Sequence, residues 1–148
     1  MMYYLLNPEV SGELGDGCKI EYKNGMIHEI TFLEYHFTGW MGDELLTAHP
    51  CFIVTKELEH AICAEGLTGV VFREIAVTFS DEFYEMCGDI KVPQFVQIIC
   101  CFPYEASIDN LSYDFYFNKY KEMIVSERAL AVLKQHTINE CNIERIIG

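Results

Sequence analysis

The alternation of apolar and polar residues in the first third of the chain predicts strands joined by turns. Residues 2–6 form a short aromatic and aliphatic run, which predicts a strand. Residues 8–17 contain three glycines and show no period, which predicts a loop. Asn24-Gly25 indicates a hairpin with a type I′ turn, because both residues tolerate a positive φ. Alternation slips near Leu33, so we expect the second hairpin strand to be long and bulged there.

Two stretches of the chain repeat one order of apolar and capping positions, 71 residues apart, at 52–75 and 123–146. In each, a short apolar strand leads to a hydroxyl residue suited to cap a helix, Thr55 or Ser126, and apolar residues follow at helical spacing. Gly66 suits the position that ends the first helix. The polar residues at matching positions differ in kind. We therefore interpret the repeat as scaffold and predict two strand-helix-strand units.

The remaining segments complete the predicted architecture. They are, in order, a strand over 70–80, a helical turn over 81–90, a central strand over 92–102, a loop over 103–110 and an aromatic strand over 111–126. No linker or low-complexity segment interrupts the chain. The sequence therefore predicts a single α+β domain over residues 1–148, with a mostly antiparallel sheet and the two strand-helix-strand units.

Charge is the most informative property of the composition. The chain has 23 acidic and 10 basic residues, and its formal net charge is −13. Such a surface repels nucleic acid and anionic membranes and accelerates encounters with a cationic partner. The alternative is that the charge only keeps the protein soluble. We predict a cationic protein partner, with no nucleic acid and no membrane.

Cellular location is predicted from the apolar runs and the cysteines. The chain opens without a basic region before its first apolar run, and its longest apolar stretch, 95–102, is far below the roughly 20 residues of a membrane helix. The seven cysteines are odd in number, irregularly spaced and lack a Cys-x-x-Cys pair. We therefore predict free thiols in a reducing cytoplasm, with no metal and no cofactor.

Catalytic motifs are absent from the sequence. The chain has five histidines, but none lies in a metalloprotease or other catalytic motif. The sequence also contains no nucleophile elbow, glycine-rich phosphate loop or dinucleotide fingerprint. We therefore predict that the protein is not an enzyme.

Two acidic segments are candidates for contact with a partner. The segment GWMGDELL holds the only tryptophan beside two carboxylates, a combination typical of binding hot spots, although the tryptophan would equally fit as a plug of the core. The segment SDEFYEMCGD clusters acids on one side of a predicted helical turn, which a solvated face would also explain. The candidate residues are Trp40, Asp43 and Glu44 in the first segment and Asp81, Glu82, Glu85 and Asp89 in the second.

The end of the chain resembles a known group of proteins. The stretch KEMIVSERALAVLKQHTINECNIERI combines an aromatic strand, a VSER helix start and a short closing strand. This order resembles the C-terminal half of bacterial immunity proteins that accompany polymorphic toxins, and the region FIVT to LTGVVF is more loosely similar. The resemblance implies a small cytosolic protein that protects its own cell by occupying a toxin delivered by neighbouring cells. It assigns no site residues.

The expected function is therefore inhibition of a basic toxin domain by surface complementarity. Two alternatives stay open at this point: a small thiol- or histidine-dependent hydrolase whose residues meet only in the fold, and an interaction domain with no toxin partner. The sequence leaves open the identity of the toxin and the face that binds it.

Overall fold

The described residues of the protein form strands, three helices and the turns between them. The computed structural model describes residues 2–105 and 112–146. The strands are β1 (Tyr3–Asn7), β2 (Glu9–Val10), β3 (Gly12–Leu14), β4 (Lys19–Lys23), β5 (Met26–Phe32), β6 (Glu34–Phe37), β7 (Leu45–Ala48), β8 (Cys51–Thr55), β9 (Val70–Arg73), β10 (Ala76–Phe79), β11 (Phe95–Cys100), β12 (Phe115–Phe117), β13 (Met123–Ser126) and β14 (Asn142–Ile146). The helices are α1 (Lys56–Ala64), α2 (Asp81–Cys87) and α3 (Glu127–Leu133). The predicted α+β class is confirmed, and the pairing is mostly antiparallel.

Four strands of one sheet match the four strands of another in their order. Sheet I has the order β12-β13-β1-β14, and sheet II has the order β2-β7-β8-β11-β9. In each sheet a helix connects two parallel strands that have one antiparallel strand between them: α1 leads from β8 towards β9, and α3 leads from β13 towards β14. The two predicted strand-helix-strand units are therefore confirmed. Each is part of a larger repeat, which we call repeat 1 (β7, β8, α1, β9, β11) and repeat 2 (β12, β13, α3, β14, β1).

The two repeats share their pairing register as well as their strand order. Leu6 of β1 lies opposite Met123 and Ile143, just as Ile98 of β11 lies opposite Phe52 and Phe72. Both pairs of partners are separated by the 71 residues of the sequence repeat. Strand β1, from the start of the chain, thus has the place in repeat 2 that β11 has in repeat 1.

Local signals at the ends of the helices and at the hairpin turn are confirmed. The hydroxyl of Thr55 accepts from the Leu58 amide at 3.1 Å, and that of Ser126 accepts from the Ala129 amide at 3.1 Å, so both residues cap their helices. The hairpin turn at Asn24-Gly25 has φ values of 54° and 78°. Gly66, at φ 67°, follows the end of α1 in the left-handed conformation expected there.

One apolar core joins the two repeats. It contains buried residues from both helices and from the inner faces of sheets I and II, including Leu6, Val54, Leu58, Ile62, Phe115, Val125, Leu130 and Leu133. Side chains of neighbouring residues on a strand point to opposite faces. Val54 of β8 therefore faces this core, and Ile53 faces a second core on the opposite side of sheet II. The duplicated pattern in the sequence therefore builds two halves that bury one another.

The second core is covered by segments that repeat 2 lacks. A third sheet of order β10-β6-β3 and helix α2 pack over the outer face of sheet II. Phe37 is fully buried at its centre, and its ring centroid lies 5.4 Å from that of Phe79, 6.1 Å from that of Phe83 and 5.8 Å from that of Phe95. These aromatic contacts fix α2 on the protein, which determines where its acidic side chains point.

Several predicted strands and loops were wrong in their extent. The single strand expected over 70–80 is two strands in different sheets, β9 and β10, and the aromatic strand expected over 111–126 is β12 and β13 joined by a turn. The predicted loop over 8–17 contains β2 and β3. Gly12 lies in β3, and a Cβ there would overlap the carbonyl oxygen of His36, so this glycine permits close pairing with β6.

Two further differences concern the chain around the hairpin and the loop 103–110. The chain does not bulge near Leu33 but leaves the β4–β5 hairpin there and continues as β6 in the third sheet; the register irregularities lie instead beside Ile20 and Tyr22. The predicted loop over 103–110 lies largely outside the described residues. Within the described part of the chain, no helix is long and apolar enough to span a membrane.

Candidate functional site

Helix α2 presents the predicted acidic cluster to solvent. Asp81, Glu82, Glu85 and Asp89 are all exposed, whereas Phe83 between them is 1% exposed and holds the helix on the second core. No ion pair among the described residues involves any of the four carboxylates. The structure therefore keeps four uncompensated negative charges on one short segment.

The start of α2 favours the charged state of this segment. The Ser80 hydroxyl accepts from the Phe83 amide at 3.1 Å, which caps the helix. Ser80 also hydrogen-bonds the Glu82 carboxyl, and this contact lowers the pKa of Glu82. Carboxylates in the first turn are further stabilised by the helix dipole. The start of α2 thus favours the charged form of Glu82.

The loop that carries Trp40 lies beside α2. The Cys87 thiol donates to the Trp40 carbonyl oxygen at 3.9 Å, and a Cβ at Gly39 would be 3.9 Å from Cε of Met86. The two segments that the sequence offered as separate candidates therefore form one surface. We call it the α2 surface and define it by Trp40, Met41, Asp81, Glu82, Tyr84, Glu85, Met86, Asp89 and Ile90.

The α2 surface also exposes large apolar side chains. Met41 is 73%, Met86 74%, Tyr84 58% and Ile90 52% exposed. Exposed apolar residues are ordinary when scattered singly, but here they stand among acidic groups on one short helix and its neighbouring loop. The surface therefore combines charge with the methionine and aromatic side chains that are enriched at protein interfaces.

Trp40 is half-buried and packs against the second core, and its place at a partner contact stays a prediction. Its ring packs edge-on against Phe95, with centroids 6.4 Å apart, and its indole N–H donates to the Asp43 carbonyl oxygen at 2.9 Å. It also lines a depression of about 230 Å³ together with Glu44, Lys56 and Glu57. Lys56 already brings a cation to this depression, so the two carboxylates there do not indicate a cationic ligand.

Asp43 is buried, which corrects its predicted place at a contact surface, whereas Glu44 is half-buried and hydrogen-bonded within the protein. Asp43 is fully buried, and its carboxylate accepts from the amides of Asn139 at 3.0 Å and Glu140 at 2.8 Å. Burial raises the pKa of Asp43, and the charge of nearby Glu9 adds to this effect, although the two backbone hydrogen bonds oppose it. In this conformation Asp43 is inaccessible to a partner.

Glu44 joins the two repeats. One carboxylate oxygen accepts from the hydroxyl of Thr55, the cap of α1, at 2.7 Å, and the other accepts from the amide of Thr137, beyond α3, at 2.9 Å. His136 lies 3.2 Å from the first oxygen. Burial opposes ionisation of Glu44, but these hydrogen bonds outweigh it and lower the pKa. We call this set of contacts the Glu44 network.

An equivalent network surrounds Asp114, a residue that the sequence analysis did not single out. Its carboxylate accepts from the hydroxyl of Ser126, the cap of α3, at 2.7 Å and from the amide of Thr68, beyond α1, at 2.9 Å. The 71-residue spacing of the sequence repeat hid this match, because that spacing carried back to Glu44 leads to Phe115 and not to Asp114. The β12–β13 connection is one residue longer than the β7–β8 connection, as the strand registers show.

Replacing Glu44 by glutamine is expected to lower the unfolding free energy by about 1–2 kcal/mol at pH 7 and by progressively less in acid. The lowered pKa means that the folded state favours the carboxylate. This contribution is present above the ordinary glutamate pKa and is lost as pH falls through the lowered one. Urea unfolding of both proteins from pH 7 downwards measures the difference. A difference independent of pH would contradict this assignment.

The thiols and histidines show little sign of catalytic chemistry in the described residues. All seven cysteines are free, and burial raises the pKa of both Cys51 and Cys100 to about 12, which makes them poor nucleophiles. His36 is half-buried with Nδ1 2.7 Å from the Thr78 hydroxyl. No group of three or more histidine, cysteine or acidic residues in the described chain is placed to hold a metal ion.

Comparison with known proteins does not assign the chain to a family. No protein-family model matches the chain, and no curated protein sequence matches it significantly.

Proposed function

We propose that this protein is an immunity protein that binds and neutralises a basic bacterial toxin domain, and that the α2 surface is its contact face. The observation that carries the proposal is the exposure of uncompensated carboxylates and large apolar side chains together on α2 and the adjoining loop. The resemblance of residues 121–146 to immunity proteins supports the toxin as the partner.

The negative charge of the α2 surface is expected to increase the association rate with a basic partner. Four exposed carboxylates, none of which is in an ion pair among the described residues, attract a basic protein over distances of roughly the Debye length, about 8 Å at physiological salt. The net charge of −13 adds a long-range field of the same sign. Many toxins that cleave nucleic acids are basic because they bind phosphate backbones. An acidic inhibitor meets such a toxin quickly and competes for the charges that hold its substrate.

The apolar side chains act on the lifetime of the complex. Met41, Tyr84 and Met86 are each more than half exposed, and burying them removes apolar area from water. Methionine adapts its shape to a partner, and tyrosine is among the residues that dominate binding energies. A surface that served solubility alone would have no use for these side chains beside its charges. We therefore expect the apolar residues to set the dissociation rate and the carboxylates to set the association rate.

Reversing three charges on α2 tests the proposal. The variant Asp81→Lys, Glu82→Lys, Glu85→Lys is expected to associate at least about tenfold more slowly with the toxin domain encoded beside this gene at low salt, and the difference is expected to shrink as salt rises. Binding kinetics at several salt concentrations measure both effects. Cells exposed to the toxin are expected to lose protection in parallel.

A matched control separates local charge from total charge. The variant Glu65→Lys, Glu127→Lys, Glu144→Lys changes the net charge equally at exposed positions in repeats 1 and 2, outside the α2 surface. It is expected to slow association much less than the α2 variant. Equal slowing by both variants would assign the effect to net charge, and unchanged association of the α2 variant would remove α2 from the interface. The absence of a secreted toxin gene next to this one would contradict the proposal that the partner is a toxin.

A further inference from the structure

A cavity of about 240 Å³ lies between the β4–β5 hairpin and one end of sheet II. Its lining includes Ile27 and Ile30 of β5, Phe117 at the end of β12 and Lys121 in the turn that follows β12. Cys51, Arg73 and Gln97 line the cavity from three neighbouring strands of sheet II. These residues are separate from the α2 surface.

Gln97 brings an unused hydrogen-bonding group to this cavity. The residue is 5% exposed, and its amide nitrogen donates to the Cys51 sulfur at 3.6 Å. Its amide oxygen has no hydrogen-bond partner among the described residues. Buried polar atoms without a partner are rare in native proteins, and each such atom asks for an explanation. A donor group of a bound ligand would satisfy this oxygen.

The cavity is cationic, in contrast to the protein as a whole. Arg73 and Lys121 line it with a single carboxylate, that of Glu29. Arg73 donates through one nitrogen to the carbonyl oxygens of Ile30 at 3.3 Å and Thr31 at 2.9 Å, which fixes its position. Within the described chain no carboxylate forms an ion pair with Arg73 or Lys121. Two of the 10 basic residues of a chain with net charge −13 thus meet at one cavity.

The remaining lining favours an apolar body. Aliphatic side chains come from Ile27, Ile30, Pro50 and Ile99, and Phe117 adds an aromatic ring. Nζ of Lys121 lies 4.7 Å from the centroid of the Phe117 ring, which holds the ammonium group against this ring. Pockets that bind small molecules combine such apolar walls with a few polar groups that fix orientation.

We propose that this cavity binds a small organic anion that has an apolar body, a carboxylate at one end and a hydrogen-bond donor at the other. The carboxylate pairs with Lys121 and Arg73, and the donor bonds the amide oxygen of Gln97. The apolar body contacts the aliphatic side chains of β5 and the ring of Phe117. The site goes beyond the proposed toxin contact and does not depend on it.

Titration with 4-hydroxybenzoate tests the site, because this compound has a carboxylate and a hydroxyl at opposite ends of an apolar ring. Amide chemical shifts of the full chain are expected to move around β5, β11 and the β12–β13 turn, with a Kd on the order of 1 mM for so small a ligand. The uncharged 4-hydroxybenzyl alcohol is expected to bind at least about tenfold more weakly, because it cannot pair with the cationic groups.

Two variants and one control test the named residues. Gln97→Met, which keeps the side-chain length but removes the oxygen, is expected to weaken binding at least about fivefold. It is also expected to leave the Tm unchanged or raise it by about 3 °C, because the unpartnered polar atom is gone. Lys121→Gln is expected to weaken binding, whereas Lys119→Gln in the same turn is not, because Lys119 does not line the cavity.

Each contrary outcome overturns the proposal. Absence of shift changes around the cavity at about 10 mM 4-hydroxybenzoate would exclude this ligand class, since even weak fragments are detected at that concentration. Unchanged binding by Gln97→Met would show that the amide oxygen takes no part. Equal weakening by the two lysine variants would assign the attraction to general charge and not to the cavity.

Discussion

Replacing Glu44 and Asp114 together by alanine is expected to cost about 5 kcal/mol of unfolding free energy, which is comparable to the whole stability of many domains. Each carboxylate accepts a hydroxyl and a backbone amide at 2.7–2.9 Å, and the side chains are only 17% and 13% exposed. Hydrogen bonds to charged groups contribute about 1.5–3 kcal/mol each, and removal of the carboxylates leaves donors without partners.

The two networks have this large combined effect because each one joins both repeats. Glu44 connects the cap of α1 to the segment beyond α3, and Asp114 connects the cap of α3 to the segment beyond α1. Loss of both carboxylates therefore removes a hydrogen bond to each helix cap and both of these contacts between the repeats. The single variants are expected to lose about 2–3 kcal/mol each.

Chemical denaturation with a matched acidic control measures this loss. The control is Glu57→Ala with Glu127→Ala, two exposed residues in the first turns of the same helices. It removes the same charge but no hydrogen-bond network, and it is expected to cost about 1 kcal/mol or less through the helix dipoles. If the Glu44 and Asp114 double variant matched this control, the networks would contribute nothing beyond charge.

Removal of residues 2–7 is expected to abolish cooperative folding, and the same strand placed at the other end of the chain is expected to restore it. Strand β1 lies in the middle of sheet I, hydrogen-bonded to β13 and β14. Tyr3 is 3% and Leu6 1% exposed, so the deletion also opens two apolar clusters. An open sheet with unpaired inner strands has no partner for its backbone groups.

The permuted chain begins at Pro8 and continues from Ile146 through a short glycine-rich turn into Tyr3–Asn7. Ile146 lies opposite Tyr3 in an antiparallel pair, so a hairpin turn bridges them. The permuted order also makes repeat 2 contiguous in the chain, as repeat 1 already is. Its Tm is expected within about 5 °C of the parent value, because every strand pair is retained.

Circular dichroism and thermal melting of the parent, the deletion variant and the permuted chain measure these outcomes. A permuted chain with Leu6→Asp in the transferred strand serves as the control, because a charge at this buried position prevents the strand from docking. A cooperative transition in the deletion variant would show that sheet I does not need β1. If the permuted chain without Leu6→Asp also showed no cooperative transition, the equivalence of β1 and β11 would be contradicted.

Signals that act within a few residues were sufficient to predict several elements. Thr55 and Ser126 cap their helices by bonding an amide three residues ahead, so the capping pattern is visible in a short window. The Asn24-Gly25 turn depends on the φ preferences of two neighbours. The acidic side of α2 likewise follows from spacing along one helix. The 71-residue repeat was visible because buried faces and caps constrain the residue type wherever they recur.

Contacts between distant segments decided the rest. The partition of 70–80 between two sheets depends on which strands, β11 and β6, lie beside it, and no local pattern encodes that choice. Asp43 and Glu44 looked like surface acids beside a tryptophan, but their partners Thr137 and Asn139 are more than ninety positions away. A carboxylate in a loop has the same sequence signature whether it faces solvent or a distant backbone amide.

The chain by itself determined the α+β class, the duplicated units, the helix caps and an acidic segment, because each depends on composition or on short-range spacing. Only the tertiary structure placed Trp40 beside α2, turned Glu44 and Asp114 into matching networks, and gathered Arg73, Gln97 and Lys121 around one cavity. The physical reason is that hydrogen bonds and burial depend on distance in space, and a chain of antiparallel strands brings together residues that are far apart in sequence.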